Sequence, residues 1–219
     1  MKYTIGVFDS GIGGLNILNK IKKELPNENI LYYGDTKNNP YGEKSDKELL
    51  ELTKNIVDYL KNKGCKIIVI ACNTATTRCI KELKKLYPDL IFIGTIPAIK
   101  VAYDNNSKNT LVLGTKATIT SQTVKKLTTK YKHPNQYIYL QACDGLANAI
   151  EINNQKLINE LLDKYLIPYQ DKNIDTIILG CTHYPNIKNL ILEYFPKVNI
   201  YDSSKYVAKK VKNKLKQIT

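Results

Sequence analysis

Short runs of β-branched and apolar residues alternate along this chain with longer amphipathic stretches. Eight such runs are present, and most of the segments between them carry apolar residues at helical spacing. Strands joined by helices in this way predict βαβ units, and therefore an α/β fold with parallel sheets covered by helices on both faces. The predicted strands cover residues 3–8, 29–34, 66–71, 90–95, 110–115, 136–141, 175–180 and 198–202.

The helical spacing is clearest in three of the intervening segments. Each of them places four apolar residues on one face of a helix, as an amphipathic helix packed on a sheet requires. These residues are Leu15, Leu18, Ile21 and Leu25; Leu49, Leu52, Ile56 and Leu60; and Leu157, Leu161, Leu162 and Tyr165.

The chain also divides into two similar halves. Each half begins with a strand that runs into a turn of small residues, "VFDSGIGG" and then "VLGTKATI", and each later has a strand that ends near a cysteine. The offset between the turns (115 − 9 = 106) nearly equals the offset between the cysteines (181 − 72 = 109). We therefore expect two related domains, residues 1–96 with 203–219 and residues 97–202, with a ligand cleft at the carboxyl ends of their strands.

Composition excludes several classes of protein. With 43% hydrophobic and 24% charged residues and no apolar stretch of about 20 residues, disorder and a membrane span are poor fits. The N-terminus lacks the apolar region of a signal peptide, so we expect a cytoplasmic protein. The net charge is +13, but Arg78 is the single arginine and the lysines are dispersed, which argues against nucleic-acid recognition.

The cysteines are odd in number, and in a reducing compartment they should be free thiols. No C-x-x-C or H-x3-5-H pair is present, so metal binding has little support. The five cysteines are Cys65, Cys72, Cys79, Cys143 and Cys181. Cys65 and Cys79 have no polar setting, so they should be packing residues.

The segment "DSGIGG" (9–14) follows a strand and opens a helix, where backbone N–H groups can bind anions. It is not a dinucleotide fingerprint, because the third required glycine falls at Asn16. One interpretation is a tight turn whose glycines only permit close packing. Asp9 and Ser10 favour a functional interpretation, since an acid in such a turn serves as an acceptor or a base.

A second segment, "PYGEKS" (40–45), reads as a loop that leads into a helix. Ser45 is the expected N-cap, and Glu48 would complete a capping box. Taken alone, Tyr41 and Gly42 are turn residues.

The two strand-end cysteines have polar neighbours. Asn73 and Thr74 follow Cys72, although a buried structural thiol is the default for a free cysteine. Thr182 and His183 follow Cys181, and a helix is expected to begin near Pro185. A helix N-terminus or a neighbouring imidazole activates a thiol.

A single cysteine with a histidine would suggest acyl transfer. Two equivalent thiols from two similar halves instead suit a reaction that inverts one carbon, because inversion needs a base on one face and an acid on the other. The sequence therefore favours racemisation.

With DSGIGG, PYG, ACNTAT, GTKATI and GCTHYP in this order, the sequence resembles the glutamate racemases, cofactor-independent members of the aspartate/glutamate racemase superfamily. The resemblance implies two flavodoxin-like domains, no pyridoxal phosphate, no metal and a homodimer. It implies Cys72 and Cys181 as proton donor and acceptor, Asp9 and His183 as their assistants, and Glu151 as an auxiliary acid. The implied substrate-binding residues are Asp9, Ser10, Tyr41, Gly42, Asn73, Thr74, Thr115, Thr118, Thr182 and His183.

The implied biological role is the supply of D-glutamate for peptidoglycan. Three alternatives stay open: an aspartate racemase, a related two-cysteine isomerase, and a secondary role in binding DNA gyrase. Two local departures from the family pattern are present. Lys37 and Asn38 stand where an arginine is usual, and "ACDGLANAIE" precedes the auxiliary glutamate.

Overall fold

The computed structural model describes residues 4–131 and 133–217 and contains two compact units. The first unit is made of two segments of the chain, the described residues up to Thr95 and those from Ser203 onward. The second unit is Ile96–Asp202. The first predicted strand begins at Tyr3, which lies outside the described residues.

The first unit is a parallel four-stranded sheet with the strand order β2-β1-β3-β4. Helices connect consecutive strands, so each connection is a βαβ crossover. Its strands are β1 (Ile5–Asp9), β2 (Ile30–Gly34), β3 (Ile67–Ile70) and β4 (Ile91–Gly94), and its first helices are α1 (Leu15–Glu24), α2 (Asp46–Asn62) and α3 (Asn73–Leu86). Two 3₁₀ turns, Thr36–Asn38 and Tyr41–Glu43, lie between β2 and α2.

The second unit repeats this arrangement with the order β6-β5-β7-β8, again entirely parallel. Its helices are α4 (Ile99–Asp104), α5 (Lys116–Ile119), α6 (Gln122–Lys130), α7 (Leu146–Glu151), α8 (Gln155–Leu166) and α9 (Lys188–Tyr194). Its strands are β5 (Asn109–Gly114), β6 (Tyr137–Ala142), β7 (Thr176–Leu179) and β8 (Asn199–Tyr201), with 3₁₀ turns at Ile167–Lys172 and Tyr184–Ile187. The last helix, α10 (Ser204–Leu215), belongs to the first unit.

The predicted α/β class with helix-covered parallel sheets is confirmed, and all eight predicted strands are present with ends shifted by one or two residues. Each sheet follows the first four strands of the flavodoxin-like order 2-1-3-4-5. The two halves therefore share a topology as well as a motif order.

Both faces of each sheet are buried, which explains why the strands read as continuous apolar runs. In β3, Ile67 and Val69 face one apolar cluster while Ile68 and Ile70 face another. The central strand β5 alternates in the same way about Val112.

The C-terminal helix covers one face of the first sheet. Val207, Val211 and Leu215 of α10 share an apolar cluster with Ile17 and Ile21 of α1. Their spacing of three and four residues places them on one side of each helix.

The loop before α2 ends in the predicted N-cap. The Ser45 Oγ atom accepts a hydrogen bond from the backbone N–H of Glu48 at 3.2 Å. The Glu48 carboxylate pairs with Lys44 Nζ at 3.0 Å. Within residues 4–131 and 133–217, the structure contains no helix of the length and hydropathy that crossing a bilayer requires.

Candidate functional site

Polar side chains collect at the carboxyl end of each sheet. We describe the two units in turn as half-sites, each defined by the residues that follow its own strands.

In the first half-site, Asp9 is the last residue of β1 and is fully buried. Its Oδ2 atom accepts a hydrogen bond from the backbone N–H of Gly14 at 2.8 Å. A Cβ atom at Gly14 would lie 2.5 Å from the Asp9 Cβ atom and 2.7 Å from the Tyr32 hydroxyl, so only glycine fits there. The turn therefore packs closely and orients a carboxylate at the same time. Ser10, the next residue, is also buried.

Cys72 lies two residues beyond β3 and is the N-cap of α3. Its Sγ atom accepts a hydrogen bond from the backbone N–H of Ala75 at 3.5 Å, a weak contact that favours electron density on the sulfur. The helix that it caps is 14 residues long, so the dipole of a full α-helix also points its positive end at the thiol. Asn73 and Thr74, in the first turn of α3, are buried beside it.

Two buried side-chain oxygens in the described part of the first unit have no hydrogen-bond partner. Among the described residues, the buried side-chain oxygens without a hydrogen-bond partner are Asn73 Oδ1 and Thr95 Oγ1. Both residues follow neighbouring strands of the first sheet, β3 and β4. An unsatisfied buried acceptor destabilises the fold by about 1–3 kcal/mol, so a ligand N–H group that pairs with it gains that free energy back.

The Tyr41 turn is held by the carboxylate that follows β2. The Tyr41 hydroxyl donates to Asp35 Oδ2 at 2.7 Å, and Asn38 Nδ2 donates to Asp35 Oδ1 at 2.8 Å. Burial raises the pKa of Tyr41 well above its usual range, and the hydrogen bond to Asp35 and the charge of that carboxylate raise it further. The Tyr41 ring belongs to the same apolar cluster as Cys72. The neighbouring Gly42 is exposed.

In the second half-site, Cys181 lies two residues beyond β7 and faces a buried imidazole. The Cys181 Sγ atom is 3.7 Å from His183 Nδ1, and His183 Nε2 is 2.6 Å from Glu151 Oε2. Glu151 is the last residue of α7, 32 residues earlier in the chain, and its side chain is nearly buried. The three side chains form a relay from a carboxylate through an imidazole to a thiol.

Hydroxyl groups complete this half-site at the end of β5. Thr115 is the N-cap of α5, and its Oγ1 atom accepts from the backbone N–H of Thr118 at 3.2 Å. The two hydroxyls lie 3.1 Å apart. Thr118 is fully buried, Thr182 is buried beside Cys181, and Thr115 is half-buried.

The helical segment expected near Pro185 begins at Tyr184, and its first turn is a 3₁₀ turn. A 3₁₀ turn covers Tyr184–Ile187, and α9 begins only at Lys188. Proline occupies the first turn of the 3₁₀ segment, where its missing N–H group costs no hydrogen bond. The helix that follows Cys181 is therefore short and starts seven residues later, and the imidazole is the main group beside this thiol.

The other three cysteines differ from these two. Burial raises the pKa of Cys65 to about 11 and that of Cys79 above its usual value. Burial, and next the proximity of Cys181, raises the pKa of Cys143 to about 12. These thiols stay protonated at neutral pH, so the prediction that Cys65 and Cys79 are packing residues agrees with their surroundings. All five cysteines are free.

In the described part of the chain, no group of three or more His, Cys, Asp or Glu side chains is arranged as metal ligands.

Sequence reasoning missed three residues near the half-sites. Asp35, which accepts the hydrogen bond of the Tyr41 hydroxyl, is marked in the sequence only by its position after an apolar run. Arg78 and Cys143 carry no local signal, because their partners are distant in the sequence. The single available hint was that Arg78 is the one arginine of a lysine-rich chain.

Comparison with known proteins finds similar sequences and similar solved structures among the racemases. The family model described as Asp/Glu/Hydantoin racemase matches residues 16–211. A glutamate racemase of Clostridium perfringens (strain SM101 / Type A) is 43% identical over 218 residues, which cover 97% of this chain and 83% of the relative.

Solved structures are similar as well. The glutamate racemase of Francisella tularensis in complex with D-glutamate has a TM-score of 0.82 at 32% identity, covering 99% of this chain and 81% of that one. The Escherichia coli glutamate racemase in complex with L-glutamate and the activator UDP-MurNAc-ala has a TM-score of 0.84 at 27% identity, covering 96% and 81%.

Proposed function

This chain belongs to the Asp/Glu/hydantoin racemase family, and from that premise we propose that it interconverts L- and D-glutamate without a cofactor. The observation that carries the proposal is the equivalent placement of two thiols. Cys72 follows the third strand of its unit by two residues, and Cys181 follows the third strand of its own unit by two residues. Relatives named glutamate racemase, some solved with D- or L-glutamate, support glutamate as the substrate.

The proposed reaction uses the two thiols in alternation. In the D to L direction, the Cys72 thiolate removes the α-proton, the Cα–H electron pair moves into the carboxylate, and a Cys72 thiol forms. The Cys181 thiol then donates its proton to the opposite face of the α-carbon and becomes a thiolate. The L to D direction reverses these steps, so the proposal requires both sulfur atoms to reach one α-carbon from opposite sides.

Each thiol has its own assistant in this mechanism. Asp9 assists Cys72, while His183, oriented by Glu151 through the 2.6 Å contact, exchanges a proton with Cys181. Hydrogen-bond donors on the α-carboxylate stabilise the enediolate-like charge as it develops. Each turnover needs one thiolate and one thiol, so the pH dependence belongs to the coupled pair.

The substrate contacts are proposed from both half-sites. The unpartnered Asn73 Oδ1 atom is a suitable acceptor for the α-ammonium group. The carboxylates would be held by hydroxyl and backbone donors of the remaining residues. These are Ser10, Tyr41, Gly42, Thr74, Thr115, Thr118, Thr182 and His183, with Asp9 also near the ammonium.

We further propose that the enzyme works in the cytoplasm as a homodimer and supplies D-glutamate for peptidoglycan. Sedimentation of the purified protein tests the homodimer, and the D-glutamate requirement of cells lacking it tests the supply of D-glutamate. The +13 charge motivates one more assay, inhibition of DNA gyrase supercoiling at physiological salt. Absence of inhibition at high protein excess removes that role.

The decisive experiment is incubation with L-glutamate in D₂O, with reductant and without added cofactor. We expect loss of optical rotation together with deuterium at the α-carbon of the product. Exchange with aspartate but not glutamate would retain the two-thiol mechanism and change the substrate. No exchange with either amino acid would contradict the proposal.

A further inference from the structure

The single arginine of the chain links two parts of the first half-site. Arg78 lies on α3, six residues after its N-cap Cys72, and its side chain is only 15% exposed. It projects toward the loop that contains Tyr41 and Gly42, more than 30 residues earlier in the sequence. Arg78 thus connects α3, which Cys72 caps, to the loop that is proposed to bind substrate.

The guanidinium group contacts three acceptors at once. Nη2 donates to the backbone carbonyl of Lys44 at 2.7 Å, Nη1 donates to that of Tyr41 at 3.4 Å, and Nε pairs with the Asp46 carboxylate. The contact with the Lys44 carbonyl is short and that with the Tyr41 carbonyl is long, so the Lys44 contact is the stronger of the two hydrogen bonds that tether the loop to α3. The Asp46 side chain is 85% exposed, and an ion pair there adds little stability.

The rest of the loop is fixed on the same helix. The Tyr41 ring shares an apolar cluster with Cys72 and Ala75, while its hydroxyl is held by Asp35. The buried Tyr41 ring and the two backbone carbonyls bonded to Arg78 therefore fix the position of the 3₁₀ turn Tyr41–Glu43 relative to the start of α3.

Lysine cannot reproduce this geometry. A planar guanidinium presents donors in a fixed fork that reaches several acceptors, whereas an ammonium group is a single point charge on a flexible stem. A lysine at position 78 would keep the charge, but could satisfy one of the three acceptors at a time.

We propose that Arg78 is a positioning residue that fixes the Tyr41–Gly42 loop relative to Cys72, and so sets the affinity of the site for its substrate. This inference rests on the proposed glutamate racemisation. In the proposed function this loop contacts the substrate in both the ground and the transition state, so its displacement should weaken binding more than it slows proton transfer.

The test compares four variants of the full-length protein by initial rates and by hydrogen exchange. Arg78→Lys and Arg78→Gln should each raise KM for glutamate about tenfold, the loss of one charge-assisted hydrogen bond, with kcat changed less than about threefold. Backbone amide exchange should accelerate in residues 39–45, while the rest of the first unit is unchanged.

Two controls separate the tether from charge and from the ion pair. Lys85→Gln removes the same charge from the same helix at a position whose side chain is 71% exposed. Asp46→Asn removes the ion pair but keeps both carbonyl contacts. Each should leave KM within about twofold of the wild type, as expected for exposed ion pairs.

The outcomes are distinguishable. Wild-type KM and wild-type exchange in both Arg78 variants would overturn the inference, and so would an Asp46→Asn variant as impaired as Arg78→Gln. An inactive wild-type protein would instead contradict the proposed function. In that case faster loop exchange in Arg78→Lys still supports the tether, and unchanged exchange overturns it.

Discussion

The two thiols stand at equivalent strand ends but have different surroundings. Cys72 caps a 14-residue helix and accepts a backbone N–H group, so its immediate support comes from the main chain. Cys181 is followed by a 3₁₀ turn and a seven-residue helix, and it faces the side chain of His183, whose other ring nitrogen contacts Glu151. One fold position thus supports a thiol through a helix dipole in one unit and through a side-chain relay in the other.

The comparison predicts different sensitivity to mutation. A backbone donor cannot be removed by an ordinary substitution, whereas a carboxylate or an imidazole can. We therefore expect substitutions of His183 or Glu151 to affect the two directions of proton transfer unequally, whereas the backbone donor to Cys72 remains and the side chain open to the same test there is Asp9.

The largest effect should come from replacing either thiol. Cys72→Ser and Cys181→Ser should each lower racemisation by about three orders of magnitude or more, because serine is a far weaker acid than cysteine. In D₂O, Cys72→Ser should still incorporate deuterium into L-glutamate without inversion, and Cys181→Ser into D-glutamate. Proton NMR of the α-carbon measures both. Near-normal racemisation by either variant would end the two-base model.

A smaller effect is expected from breaking the relay. Glu151→Gln keeps the shape of the side chain but removes the charge that orients and supports His183, and should lower racemisation about a hundredfold. Because Cys72 is unaffected, D-glutamate should exchange its α-proton faster than it racemises. Equal loss of exchange for D- and L-glutamate would show that Glu151 serves the whole site and not the Cys181 side.

Replacing the third thiol, Cys143, tests whether a cysteine near Cys181 also takes part in the reaction. Cys143 follows β6 and lies near Cys181, but burial holds its thiol in the protonated form. Cys143→Ala should keep racemisation within about threefold, since a thiol that stays protonated supplies no base. A loss as large as that of Cys181→Ser would place Cys143 in the reaction.

The Cys143→Ala variant should also change how the stability of the fold depends on pH. A group whose pKa is raised on folding stabilises the fold below its unfolded pKa, and that stabilisation is lost as pH rises through the folded pKa. For Cys143 the window runs from 9.0 to about 12. Thermal melting across this range should show a smaller loss of stability for Cys143→Ala than for the wild type.

The smallest effect concerns the two unpartnered oxygens of the first unit. Thr95→Val removes a fully buried hydroxyl without a partner and should raise the free energy of unfolding by about 1 kcal/mol, with unchanged kcat/KM. Urea unfolding and initial rates measure the two quantities. A clear fall in kcat/KM would instead indicate that Thr95 contacts the ligand.

Local patterns were sufficient for the architecture. The eight apolar runs became eight strands because a parallel sheet buried on both faces needs continuous apolar residues, and helix periodicity located α1, α2 and α8. Ser45 was predicted as an N-cap because capping depends on residues three apart. The helical segment at Pro185 was predicted, but not its type, because a proline suits the first turn of a 3₁₀ segment as well as that of an α-helix.

The sequence by itself determined the fold class, the internal repetition and the identity of the two strand-end thiols, since each depends on spacing along the chain. Only the tertiary structure decided what supports them. The approach of Glu151 to His183, of Arg78 to the Tyr41 loop and of Cys143 to Cys181 joins residues 32 to 38 positions apart. Parallel βαβ connections bring strand ends together at one edge of a sheet, and side-chain contacts across that edge follow from packing, which no local spacing records.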